Sequence, residues 1–115
     1  MHITTREVGS VVIFDVTGEI CRSHVTEITL HQVVKSQLER GRRNILLNLE
    51  NVEFIDSFGV GEILASYVSI QNLGGKIKLI RISRRLGIVF KVVGLDRVFE
   101  VFDSESAALQ SLAKA

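Results

Sequence analysis

The sequence contains no proline, and a single cysteine, Cys21, among its 115 residues. One cysteine excludes an internal disulfide and a cysteine-based zinc cage. The missing proline, with no Ser/Gly-rich stretch and no run of one charge, argues against a linker between domains. Lys+Arg 14 against Asp+Glu 13 leaves a formal charge of +1, so no global field draws in nucleic acid or anionic lipid. No apolar stretch, even counting glycine, exceeds the five residues Leu86–Phe90. A membrane-crossing helix needs ~18 or more. The amino terminus, Met-His-Ile-Thr-Thr-Arg, lacks the basic-then-apolar pattern of a secretory signal. What is present is 46% hydrophobic and 23% charged, enough apolar material for one packed domain over 1–115. The chain reads as a cytoplasmic module with no membrane insertion.

Strand-like and helix-like patterns alternate. Val11–Phe14 is continuous, apolar and β-branched, as in a strand covered on both faces, and Ile3–Val8 can pair with it across Gly9-Ser10. Gly18 is expected to end this unit. Between Ser23 and Gly41, Val25, Ile28, Leu30, Val33, Val34 and Leu38 follow helical spacing, with Gly41 suited to closing a helix. Ile45–Leu49 reads as a buried strand. Val60, Ile63, Leu64, Tyr67 and Val68 mark a second helix that stops near Gly74-Gly75. Ile77–Ile82 is a strand with Lys78 and Arg81 pointing outward. Leu86, Val89, Phe90 and Val93 form a third helix ended by Gly94, then a strand at Val98–Phe102 and a helix from Ser104 to Ala115. The order β-β-α-β-α-β-α-β-α predicts an α/β domain with a mixed, mainly parallel sheet and about four helices, because parallel neighbours need a crossover and the helices supply it. Functional groups in such sheets gather where strands hand over to helices. The junctions Gly18–Ser23, Asn51–Gly61 and Ile82–Leu86 are the places to look.

Phe54-Ile55-Asp56-Ser57-Phe58-Gly59-Val60-Gly61 is the most informative segment. Asp56 and Ser57 immediately precede a strongly periodic helix, where their oxygens can accept from unpaired first-turn amides. The plain alternative is a helix cap and nothing more. Two glycines in the first turns weaken a helix by about 1 kcal/mol each relative to alanine. Such a cost is tolerated where a backbone, a neighbour or a partner comes close. A phosphate on the serine adds about −1.5 to −2 charge, which the helix dipole and free amides accommodate. Modification there would disturb a docked partner and leave the fold intact.

Several stretches resemble the STAS domain, and more narrowly the bacterial anti-sigma factor antagonists. They are Gly18-Glu19-Ile20, Asn48-Leu49-Glu50-Asn51-Val52, Ile55-Asp56-Ser57-x-Gly59-x-Gly61 and Gly74-Gly75-Lys76. The resemblance implies a partner switch. The unmodified protein binds an anti-sigma factor that is also a serine kinase of the histidine-kinase-like ATPase fold, and the sigma factor is released. The kinase phosphorylates the serine, here Ser57, and a serine phosphatase resets it. The implied contact surface comprises Asp56, Phe58, Gly59 and Val60 together with Glu19, Cys21, Arg22 and Ser23. Phe58 stands where the small antagonists have Ser or Thr, and Asp-Ser-Phe is more like the STAS scaffold of stressosomes, which lacks the Gly59-x-Gly61 pair. Cys21 stands where antagonists often carry an acidic residue. An accessory subunit of a membrane transporter is the reading from another class, and self-association is left open.

Other features explain less. His24 and His31 lie seven apart, about 10.5 Å along a helix, too far to share one ion, so no metal or cofactor is expected. Arg42-Arg43 and Arg81-x-x-Arg84-Arg85 lack the charge excess and aromatic platform of a nucleic-acid site. Arg84 and Arg85 are expected beside the Ser57 turn. Phe14, Phe54, Phe90, Phe99 and Phe102 read as packing, whereas Phe58 reads equally as a partner anchor or as turn packing. No histidine falls at a strand end with a partnering carboxylate, and Gly59-Val60-Gly61 lacks the lysine of a phosphate-binding loop, so no enzyme is expected.

Overall fold

The computed structural model describes residues 1–22 and 28–113. Its elements are β1 (His2–Val8), β2 (Val11–Ile20), α1 (Leu30–Glu39), β3 (Asn44–Ile55), α2 (Ser57–Asn72), β4 (Lys76–Ile80), α3 (Arg84–Val93), β5 (Val101–Phe102) and α4 (Glu105–Ala113). A 3-10 turn at Leu95–Arg97 precedes β5. The order is the one the sequence predicts. The sheet runs β1-β2-β3-β4-β5, with β1 antiparallel to β2 and the later neighbours parallel.

Three successive crossovers in one direction place α1, α2 and α3 on one face, as crossovers of a single hand must. There Val12, Phe14, Ile45, Leu47 and Leu79 of the sheet meet Leu30 and Val34 of α1, Ile63 and Ile70 of α2, and Leu86 and Phe90 of α3. The alternate strand residues Val11, Ile13, Leu46 and Ile80 point the other way, beneath Ala108 and Leu112 of α4. Burial on both faces is why Val11–Phe14 and Ile45–Leu47 are continuously apolar.

Local chemistry sets the helix ends. Thr29 caps α1 in a capping box with Gln32, Ser83 caps α3, and Gly94 closes α3 in a left-handed conformation, φ 83°. A polar clamp joins α4 to the first hairpin. Arg6 Nε donates to Asp15 Oδ2 at 2.6 Å, Arg6 Nη1 donates to Glu105 Oε2 at 3.0 Å, and Asn48 Nδ2 donates to Asp15 Oδ1 at 2.8 Å. The guanidinium holds both carboxyls below their ordinary range.

Several boundaries differ from the sequence reading. β2 does not stop at Gly18; that residue takes φ 92° at a register shift and the strand continues to Ile20. β3 continues past Leu49 to Ile55. β4 ends at Ile80 because Arg81 turns the chain with φ 56°. Lys78 does not point to solvent: its side chain is only 11% exposed, donates to the Ser111 hydroxyl of α4 and pairs with Glu100 at 3.2 Å. Phe54 is not core but 45% exposed, and Leu64 and Val68 lie outward on α2 at 40% and 49%. The helix expected between Ser23 and Gly41 begins only at Leu30, because extended Thr29 caps it there, and Ile28 lies exposed ahead of it; Ser23, His24 and Val25 lie outside the described residues. Among the described residues no helix is long and apolar enough to cross a membrane.

Candidate interaction site at the start of α2

Two parallel strands end level with one another here. Glu19 pairs with Phe54 and Ile20 with Ile55, after two shifts that place extra residues in β3. The Asp56 amide continues the ladder, donating to Ile20 O at 3.4 Å. The chain then turns into α2 with Asp56 extended as its N-cap, φ −105° and ψ −173°.

The Asp56 carboxylate braces two segments at once. Oδ1 accepts from the Gly59 amide at 3.0 Å, closing the first turn of α2, and Oδ2 accepts from the Arg22 amide at 3.0 Å, tying in the chain that leaves β2. Both bonds favour the anion, so the carboxyl is held below its ordinary range, first by the Arg22 amide and then by that of Gly59. Asp56 is therefore an acceptor already in use, unlike a general base awaiting a proton.

Ser57, the first residue of α2, is exposed. Phe58 is half-buried, its ring beneath the Arg22 guanidinium with 5.0 Å from Cζ to the centroid. The ring also lines a small cavity with Ile20, Cys21, Ile28 and Leu30. Phe58 thus combines turn packing with a remaining exposed edge.

The two glycines separate cleanly. A Cβ at Gly59 would stand 2.1 Å from Ile20 O and 2.6 Å from Ile55 Cγ1. Gly59 lets the helix settle on the ends of β2 and β3. A Cβ at Gly61 would meet nothing within 4 Å, and the residue is exposed. Of the pair, Gly61 alone leaves room for an outside molecule.

Three expected contact residues turn inward. Gly59 and Cys21 are buried, and Val60 packs partly against the core. They shape the surface without supplying much of its area. Asp56, Ser57, Phe58 and Arg22 come together at it, with Glu19 half-buried and 3.8 Å from Cys21 Sγ. Ser23 lies outside the described residues. Arg85 lines a cleft with Glu50, Val52, Glu53 and Ser83. β3 runs on from its last pairing with β4, Asn48↔Ile80, for 55 − 48 = 7 residues to Ile55.

The α1–α2 seam beside the site holds polar ties that apolar periodicity does not reveal. Glu62 Oε1 accepts from the His31 amide at 3.1 Å, and His31 Nε2 bonds Ser69 Oγ at 2.8 Å. The Thr29-x-x-Gln32 capping signature was the legible signal for where α1 enters this seam.

The STAS domain model matches residues 2–108. A Thermotoga neapolitana relative named as a TM1081 homolog is 36% identical over 75 residues, 65% of this chain and 66% of that protein, just under two thirds of its length. The anti-sigma F factor antagonist of Paenibacillus polymyxa is 28% identical over 102 residues, 89% of this chain and 86% of that one. The crystal structure of TM1081 from Thermotoga maritima superposes with a TM-score of 0.84 at 28% identity, covering 97% of this chain and 95% of that one. The Bacillus cell fate determinant SpoIIAA in its phosphorylated form shares the fold, with a TM-score of 0.72 at 21% identity over 96% of this chain and 98% of that one.

Proposed function

This chain belongs to the STAS domain family, and from that premise we propose that it is an anti-sigma factor antagonist whose binding is switched at Ser57. The observation that carries the reading is an exposed hydroxyl on the first residue of a helix whose turn is braced independently of it. The unmodified surface of Asp56, Ser57, Phe58, Gly61 and Arg22 docks an anti-sigma factor that is also a serine kinase. Docking releases the sigma factor, and the protein acts by binding without turning over a substrate of its own.

In the switching step, Ser57 Oγ forms a bond to the γ-phosphorus of ATP as the bond from that phosphorus to the β-phosphate bridging oxygen breaks. ADP leaves, and the hydroxyl proton passes to a base on the kinase. A serine phosphatase reverses the state by hydrolysis, releasing inorganic phosphate. The helix dipole and first-turn amides favour the added dianion, so the domain stays folded while the docking face becomes strongly anionic. Repulsion and the cost of removing water from the dianion then disfavour the complex.

The direct test is incubation of the full chain with its cognate kinase and ATP, followed by mass spectrometry. One phosphate mapped to Ser57 is the expected result. Modification at another residue overturns the assignment.

A further inference from the structure

Arg22 is held at the switch turn from two directions. Its amide donates to Asp56 Oδ2, and its exposed guanidinium lies over the Phe58 ring, next to Ser57 in the chain. Among the described residues no carboxylate pairs with that guanidinium. The nearest carboxylate along the turn, Asp56, already accepts from the Gly59 and Arg22 amides. Arg81 is engaged elsewhere, with Glu50 at 3.5 Å.

Resting on the reading of Ser57 as the phospho-acceptor, we infer that Arg22 is the residue that senses the phosphate, leaving the Phe58 ring to pair with phosphoserine 57. A ring quadrupole attracts a guanidinium weakly at an exposed site. A phosphate dianion offers charge-assisted, bidentate hydrogen bonds to the same fork and wins the competition. Rotation of the Arg22 side chain suffices, because its backbone stays fixed to Asp56. Modification therefore does more than add charge. It uncovers the face of Phe58 and neutralises Arg22, so two elements of the docking surface change with the third.

The experiment uses full-length protein carrying phosphoserine installed at position 57 during translation, beside the same protein with Arg22→Gln. The second ionisation of phosphoserine is followed by phosphorus NMR, and the Arg22 δ-methylene protons by proton NMR. Free phosphoserine titrates near pH 6. With Arg22 paired, the midpoint is expected to lie at least about half a unit below that of the Arg22→Gln protein, since a nearby opposite charge favours the dianion. Arg22→Lys recovers part of the shift. The methylene protons, ring-shifted over Phe58 in the unmodified protein, move to ordinary positions on phosphorylation. Identical midpoints in parent and Arg22→Gln, with Arg22 still ring-shifted, overturn the inference. No kinase is needed here, so a kinase found to modify another serine overturns the Ser57 reading without touching this result.

Discussion

Alanine at the two glycines of α2 should act in opposite directions although the positions are two residues apart. At Gly61 the new methyl enters open space on an exposed helix interior. Glycine there costs a helix about 0.8–1 kcal/mol against alanine, part of it through the greater freedom of the unfolded chain. Gly61→Ala is therefore expected to stabilise by up to about 1 kcal/mol, raising Tm by roughly 3–6 °C for a chain of this size. At Gly59 the same propensity gain meets a Cβ placed 2.1 Å from Ile20 O. That carbonyl cannot swing away freely, because it accepts from the Asp56 amide. Relief requires lifting the first turn of α2, at an overpacking cost of roughly 1–3 kcal/mol or more. The net result is a Tm lowered by several degrees and a loosened Asp56 brace. Urea and thermal unfolding of both variants measure this. Equal effects of one sign would refute the division between a glycine needed for packing and one left free. Binding to the kinase adds a second axis: Gly61→Ala should bind more weakly despite greater stability, since its methyl occupies the space a partner would use.

Two further outcomes follow from the same geometry. Ser57→Asp should weaken kinase binding about tenfold or more by calorimetry while shifting Tm by less than ~2 °C, because an exposed first-turn position tolerates an anion; unchanged binding would end the switch reading. The clamp of Arg6, Asp15 and Glu105 makes a pH prediction. Both carboxyls are held below their unfolded values of 3.8 and 4.5, so their stabilisation is fully present above that range and is lost as pH falls through the lower folded values. Arg6→Met should cost roughly 1 kcal/mol at neutral pH, discounted because the guanidinium is partly exposed, and the deficit should shrink steadily below about pH 4. A deficit constant from pH 7 to pH 3 would contradict it.

Apolar periodicity read the sheet well and the α2 face poorly, for a physical reason. The stripe Val60, Ile63, Leu64, Tyr67 and Val68 is the hydrophobic one, yet α2 buries Gly59, Ile63, Ser66 and Ile70. Where a helix sits close to the sheet, small residues occupy the contact, and hydropathy does not reward them. Ser66 is accommodated by donating its hydroxyl to Glu62 O at 2.8 Å. Lys78 was misplaced because the side of the sheet that α4 covers is not encoded locally; its ammonium faces Ser111 and Glu100. The polar residues in Asn51–Phe54 hid the second half of β3. Past the end of β4 that strand buries only Leu49, Val52 and Ile55, and its two register shifts break any alternation. The Ser57 turn was legible because capping, paired glycines and a strand end coincide there. The Arg22–Phe58 stack was not, since it joins two junctions through a contact with no sequence spacing.

A switch that must change binding and spare folding needs a turn whose support does not pass through the modified group. The Asp56 carboxylate meets that requirement by anchoring Gly59 and Arg22 with separate oxygens, leaving the Ser57 side chain outside the network. Because both bonds lower the acidity range of Asp56, the brace remains ionised and intact throughout the neutral region, where an added phosphate is close to fully charged. Gly59 completes the arrangement from within, since any side chain there would push the first turn off Ile20 and pull the amide out of reach of Asp56. Inward residues thus fix the geometry, and outward ones are free to change state. On the proposed reading, a charge at Ser57 would spare the fold for the same reason that a partner could read it: the residue is exposed, and among the described residues its side chain has no hydrogen-bond partner.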